Sequence, residues 1–208
     1  PILGALANGK VFTFKLYSGN TATGTVLHTG TASFDGTGLG PVTVRWNTAD
    51  GTLSGLSYGT YTVAEESHAM FQAVGGAAKS ATITISDKSK TIAFTNAPKT
   101  DAQLTIKKVV TEHPQVGAAD SFSFRLYTRS GDVMTPVGDR VTVAVGGSAK
   151  VFNLTYGQTY YVKEEDIPTG YELVDSGMTT VSGQKYYAVT IDATGKEVTF
   201  TNTAKTYN

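Results

Sequence analysis

The chain has 208 residues, and its 17 Lys and Arg balance its 17 Asp and Glu, so the formal net charge is zero. This balance excludes the basic surface with which nucleic-acid-binding and anionic-membrane-binding proteins hold their partners. The chain has no cysteine, which excludes disulfides and thiolate-based catalytic or metal sites, and its 23 glycines, 11 tyrosines and 9 phenylalanines are typical of β-structure with many turns.

The N-terminal half predicts short, half-buried strands. Apolar and polar side chains alternate with a period of two in residues 12–16 and again in residues 42–46. Residues 61–63 continue as a strand, Val141, Val143 and Val145 alternate in the same way in the C-terminal half, and no segment has a helical apolar stripe. We therefore predict an all-β fold with the outline of an immunoglobulin-like sandwich.

The C-terminal half repeats the N-terminal half once. The sequence Phe-Thr-Phe-Lys-Leu-Tyr at 12–17 recurs as Phe-Ser-Phe-Arg-Leu-Tyr at 122–127, and Phe-Thr-Asn at 94–96 recurs at 200–202. Because the spacing is about 100 residues, the repeat predicts two homologous domains rather than a solenoid. We place them at residues 1–98 and 99–208, as two tandem β-sandwiches joined by a short polar linker.

Three polar side chains of the second repeat are predicted to lie on the same strand faces as apolar residues that point into the core. Lys108 follows Leu104 and Ile106 at intervals of two residues, so it points inward, whereas Lys107 does not. By the same alternation, Glu164 follows Val162, and Asn202 follows the apolar residues 198 and 200. The sequence thus predicts that Lys108, Glu164 and Asn202 enter the core from three strands.

Such a trio can react with itself. Burial favours the neutral forms of both lysine and glutamic acid, and a neutral lysine amine is a nucleophile. A protonated Glu164 can polarise the Asn202 carboxamide and transfer protons, while the apolar surroundings keep water away. The product is an isopeptide bond between Lys108 and Asn202 with release of ammonia, formed once, so the chain is not predicted to be an enzyme with turnover.

The second repeat resembles the Cna B-type and pilin-like isopeptide-forming domains of Gram-positive surface adhesins and pili. The resemblance covers both repeats and rests on segments 104–108, 122–126, 152–157, 160–164, 168–171 and 200–202. It implies that Lys108 bonds to Asn202 and that Glu164 catalyses the reaction. It also implies an extracellular, cell-wall-anchored protein whose anchor lies outside this sequence, and partners that are neighbouring domains or pilus subunits.

The first repeat has Glu65 and Asn96 at the matching positions, but its lysine is missing. Lys10 shares the phase of Phe12, and we treat it as a weak substitute, because Asp120 holds that position in the second repeat. Three interpretations stay open: the sequence begins after the lysine strand, that strand is cleaved but still bound, or a partner supplies a complementing first strand.

Other functions are weighed against this structural role. The rival is a ligand-binding adhesin module for a host protein or glycan, with Trp46, Phe71, Tyr186 and Tyr187 as its surface, although we favour core positions for them. Residues 55–59 match a Gly-x-Ser-x-Gly hydrolase pattern but lack a following helix. The Gly-rich residues 36–40 read as a hairpin turn, and no cofactor or metal is expected, since the three histidines lie far apart.

Overall fold

The computed structural model describes residues 6–35, 40–111, 121–192 and 195–205, so residues 36–39 of the predicted hairpin turn lie outside the described part. The chain divides into two compact units, Pro1–Pro98 and Lys99–Asn208. Within the described residues, the regular elements are strands, and none of the helices is long and apolar enough to cross a membrane.

In its described residues, the first unit contains seven strands in two sheets. A five-stranded sheet has the order β3-β2-β1-β4-β6, and a two-stranded sheet pairs β5 with β7. The bounds are β1 Val11–Ser18, β2 Val26–Ser33, β3 Arg45–Trp46, β4 Gly59–Glu65, β5 Phe71–Val74, β6 Ala78–Ile83 and β7 Thr95–Pro98.

The described part of the second unit contains nine strands, again in two sheets. One sheet has the order β10-β9-β12-β15-β14, and the other has the order β11-β8-β16-β13. The bounds are β8 Ala102–Thr111, β9 Ser121–Ser130, β10 Val133–Ala144, β11 Ser148–Leu154, β12 Thr159–Asp166, β13 Tyr171–Val174, β14 Thr179–Val181, β15 Gln184–Thr190 and β16 Lys196–Ala204.

The core of the second unit lies between these two sheets. The strands β8, β9, β12 and β16 alternate buried with more exposed side chains, as a strand with one face on a core must. Their buried side chains form a single cluster that includes Leu104, Ile106, Phe124, Val162 and Phe200. This architecture confirms the predicted all-β class with tandem sandwich domains.

The first unit departs from the predicted strand at residues 42–46. Only Arg45–Trp46 forms a strand, and residues 47–58 form turns and irregular structure. Arg45 and Trp46 pair with β2. The residues that follow them correspond to β11 of the second unit, which pairs with β8 among the described strands. The first unit has no counterpart of β8 among its described residues, and the backbone after Trp46 has no strand to join.

Candidate functional site: a buried Lys–Glu–Asn cluster

Two neighbouring strands hold the lysine and the asparagine. β8 and β16 run parallel, with Lys108 opposite Phe200 and Val110 opposite Asn202. Glu164 reaches the same point from β12, a strand of the facing sheet. The exposed fractions of Lys108, Glu164 and Asn202 are 1%, 4% and 0%, so all three side chains lie in the core.

The three side chains are in direct contact. Lys108 Nζ donates a hydrogen bond to Asn202 Oδ1 and lies 3.2 Å from Glu164 Oε1. The contact between Lys108 and Glu164 is an ion pair and not a well-directed hydrogen bond. Neither carboxylate oxygen of Glu164 has a hydrogen-bond partner among the described residues. Asn202 Nδ2 likewise has none in this part of the chain. A buried polar cluster with unused donors and acceptors is costly, and such clusters are typical of reactive sites.

Burial pushes both ionisable groups toward their neutral forms. It raises the pKa of the Glu164 carboxyl, and the Lys108 ammonium opposes this change only in part. It also lowers the pKa of Lys108, against the opposing effect of Glu164. Both shifts favour transfer of a proton from the amine to the carboxylate, and the product of that transfer is a nucleophilic amine beside a protonated acid.

Aromatic rings enclose the cluster. Lys108 Nζ lies 4.2 Å from the centroid of the Phe122 ring, and the rings of Phe124 and Phe200 pack against each other at 4.8 Å. All three phenylalanines are fully buried. The rings exclude water and lower the local dielectric, which strengthens every electrostatic contact inside the cluster.

The sequence neighbours of the cluster lie on the opposite faces of their strands. Lys107 is exposed and forms a surface ion pair with Glu197 at 2.7 Å. Glu165 accepts a hydrogen bond from Tyr127, and burial, together with this bond, raises the pKa of Tyr127 to about 12. Lys107 and Glu165 therefore serve as matched controls. Each is next to a cluster residue in sequence but lies on the opposite face of the same strand.

The first unit holds only part of the same cluster. Asn96 Nδ2 donates a hydrogen bond of 2.6 Å to Glu65 Oε1, and Glu65 is 7% exposed. Glu65 Oε2 has no hydrogen-bond partner among the described residues, and burial raises the pKa of this carboxyl. Lys10 lies immediately before β1, and the ion pairs of the described residues do not join it to Glu65.

Lys79 is a residue of this region that the sequence analysis missed. It pairs with Val63 on β4, as Tyr187 pairs with Val162 in the second unit, so it lies on the inner face. Its Nζ donates a hydrogen bond of 2.6 Å to the Ala93 carbonyl and lies 5.2 Å from the Phe94 centroid. The sequence did contain a signal for this position, because Lys79 precedes the apolar Ala81 and Ile83 at intervals of two residues and so shares their face of the strand.

The residues of the alternative functions do not form sites. Phe71 and Tyr186 are buried, Tyr187 packs edge-on against Phe200 at 4.9 Å, and Trp46 is half-buried. The Gly-x-Ser-x-Gly segment leads into strand β4, not into a helix. Within the described ranges, groups of His, Asp and Glu that could hold a metal are absent, and His113 lies outside them.

Comparisons with solved structures give matches of low similarity. The Bacillus anthracis TIE protein has a TM-score of 0.42 at 17% identity, over 93% of this chain and 30% of that one. A major pilin of Streptococcus pyogenes has a TM-score of 0.35 at 22% identity, over 94% and 90%. A variant of the shaft pilin SpaA of Lactobacillus rhamnosus GG has a TM-score of 0.37 at 14% identity, over 96% and 86%.

This chain therefore spans less than a third of the TIE protein. No curated protein matches it. Residues 102–204 match the family model of the SpaA prealbumin-like fold domain, from the first residue of β8 to the last residue of β16. The second unit is therefore similar to the SpaA prealbumin-like fold domain.

Proposed function

We propose that the chain is a structural module of a Gram-positive surface adhesin or pilus, and that its second unit closes itself with an isopeptide bond between Lys108 and Asn202. The observation that carries this proposal is the contact of an amine, a carboxyl and a carboxamide inside one apolar core. Neutral groups of these three kinds, held together without water, are the reactants and the acid–base catalyst of amide exchange.

The reaction balances without any outside reagent. The neutral Lys108 Nζ attacks Asn202 Cγ, while the protonated Glu164 donates a hydrogen bond to Oδ1 and stabilises the charge that develops there. Glu164 then delivers its own proton to Nδ2, and the resulting carboxylate takes a proton from Nζ. The Cγ–Nδ2 bond breaks, ammonia leaves, and Nζ and Cγ remain joined as a secondary amide.

The bond would give the second unit a covalent path from its first strand to its last. Lys108 and Asn202 are 94 residues apart in sequence, and closure of a loop of this size stabilises a domain by about 4–5 kcal/mol in the chain-entropy account of disulfides. Tension that enters through β8 would leave through β16 across the new bond. The strands between them would not be stretched, which suits a stalk.

The proposed setting follows the proteins that share this architecture. The structures similar to this chain include a major pilin and a shaft pilin, and the family model carries the name of a pilin. We infer an extracellular location on the cell wall, with neighbouring domains or pilus subunits as partners. The role is architectural, and the chemistry is a single self-modification.

Intact mass spectrometry tests this proposal. The purified chain should weigh one ammonia less than its sequence, and digestion should give a branched peptide that joins Lys108 to Asn202. Lys108→Met and Asn202→Ala should each restore the full sequence mass, while the exposed Lys107→Ala should keep the loss. A wild-type chain with the full sequence mass would refute the bond.

A further inference from the structure

Two cations lie directly opposite each other on the outer face of the five-stranded sheet of the second unit. Arg125 on β9 and Lys163 on β12 are register partners, and both alternate with buried residues, so their side chains point away from the core. Like charges at paired positions of a sheet repel each other. The ion pairs of the described residues include neither Arg125 nor Lys163, so none of them offsets this repulsion.

The first unit neutralises the matching position. Lys15 is the counterpart of Arg125, and it forms an ion pair with Glu66. Its register partner is the uncharged Ala64, which stands where the second unit has Lys163. The first unit therefore has one paired cation at the place where the second unit has two cations without a carboxylate partner.

The irregular middle of β10 produces this difference and orients one of the cations. Arg140, in that segment, lies 3.5 Å from the carboxylate of Glu165, the counterpart of the glutamate that pairs in the first unit. Glu165 also accepts a hydrogen bond from Tyr127, so its carboxylate is already engaged. The nearby Gly138 carbonyl accepts hydrogen bonds of 3.3 and 3.2 Å from Nε and Nη2 of Arg125. An uncharged group thus fixes this guanidinium, whose Nη1 is left to donate to a ligand.

Three tyrosines lie on the same outer face. Tyr186 precedes Tyr187, whose ring packs against the core, so the Tyr186 side chain points outward, although it is only 5% exposed. The rings of Tyr127 and Tyr161 pack against it, with centroids 5.6 and 6.4 Å from its own. Both of these rings are half-buried, and Tyr186 beneath them holds them beside the two cations.

The surroundings of the cations select the kind of ligand. Strands β9 and β12 are each paired on both sides, so an extended peptide finds no free backbone edge there. Recognition therefore depends on side chains: the cations donate charge-assisted hydrogen bonds, and the tyrosine rings accept the apolar face of a sugar ring. Glu165 and Asp166 follow Lys163 on β12 and repel a ligand with many negative groups. One negative group on a sugar satisfies all three conditions.

We propose that this face binds a saccharide that carries a single carboxylate. The carboxylate lies between Arg125 and Lys163, where it removes their mutual repulsion, and the pyranose ring packs against Tyr127 and Tyr161. The first unit lacks the site, because Thr62 and Ala78 hold the positions of Tyr161 and Tyr186 there. The inference adds a binding activity to the structural role and does not depend on the isopeptide bond.

The test compares two sugars on the whole chain by NMR titration. Methyl β-glucuronide carries a carboxylate where methyl β-glucoside carries a hydroxymethyl group. We expect the glucuronide to shift the Nε signal of Arg125 and the ring signals of Tyr127 and Tyr161, and to bind about tenfold or more tightly than the glucoside. Arg125→Gln and Lys163→Gln should each abolish this preference, while Lys15→Gln, the matched change in the first unit, should keep it.

Equal affinities for the two sugars would overturn the inference, as would signals that shift outside this face. The comparison uses the unaltered protein, so it does not depend on a variant that must fold. A loss of the preference in Lys15→Gln as large as in Arg125→Gln would also contradict it. Triglutamate serves as the peptide probe, and binding as tight as that of the glucuronide would show that the face recognises carboxylates without the sugar ring, which refutes the proposed ligand.

Discussion

Lys108 and Asn202 are 94 residues apart in sequence and in hydrogen-bond contact, on strands β8 and β16 that lie side by side in parallel. A parallel pair needs a long connection, and here nearly the whole second unit forms it. A covalent bond at this contact would close that connection. Its effect on stability should therefore be large compared with that of most single contacts in the core.

We expect Lys108→Met to lower the melting temperature of the second unit strongly. Methionine has a similar length and fills the site between the aromatic rings, so the variant removes the bond and the charge more than the packing. A loss of about 4–5 kcal/mol corresponds to a decrease of ~20 °C or more for a domain of this size. Differential scanning calorimetry of both proteins measures the shift.

Lys107→Ala is the matched control for this measurement. Lys107 forms an exposed ion pair with Glu197, and such pairs contribute about 0–1 kcal/mol. Its melting temperature should stay within a few degrees of the wild-type value. Equal shifts for the two variants would show that the stability of the second unit does not come from a bond at Lys108.

Glu164→Gln should fold but remain without the bond. Glutamine has the size of glutamate and can hydrogen-bond to Asn202, but it cannot accept the proton of Lys108 and deliver one to the leaving nitrogen. Intact mass spectrometry should show the full sequence mass of the variant. Glu165→Gln changes the neighbour on the opposite face of β12 and should keep the ammonia loss. A Glu164→Gln chain that still loses ammonia would assign the proton transfer to another group.

Most of what could be predicted from the sequence comes from the alternation of apolar and polar residues with a period of two. It separates Lys108 from Lys107 and Glu164 from Glu165, because successive side chains of a strand point to opposite faces. The same rule applies to Lys79, but its inward position also depends on the pairing of β6 with β4, which a single sequence does not give. Residues 42–46 show the opposite limit, since their alternation predicts a strand of five residues and only Arg45 and Trp46 pair with the neighbouring β2.

Asn153 should tolerate glycine but not valine. It has a φ of 59° at the irregularity between Val151 and Leu154, and its counterpart Gly55 has a φ of 72°. Asparagine and glycine enter this left-handed region easily, while a β-branched residue is strained there by ~1–2 kcal/mol. Thermal unfolding of the second unit should show little change for Asn153→Gly and a lower midpoint for Asn153→Val. Equal midpoints would show that the backbone relaxes at this position.

Glu65 should make the stability of the first unit depend on pH. Burial raises the pKa of this carboxyl above its ordinary value of 4.5, so the folded unit binds the proton more tightly than the unfolded chain does. The resulting stabilisation is complete below the unfolded pKa and is lost as the pH rises from about 4.5 through the folded pKa. Trp46 is the only tryptophan of the chain and lies in this unit, so its fluorescence in urea titrations reports the unfolding midpoint.

The variant Glu65→Gln should remove this part of the pH dependence, because glutamine does not titrate and can still accept the hydrogen bond from Asn96. Glu66→Gln is the matched control, since Glu66 is exposed and forms a surface ion pair with Lys15. It should keep the decline of the midpoint between pH 4.5 and neutrality that the wild type shows. The prediction fails if the urea midpoints of the wild type and of Glu65→Gln change in the same way between pH 4.5 and neutrality. Glu65 would then be ionised in the folded unit without cost, and its free oxygen would be solvated.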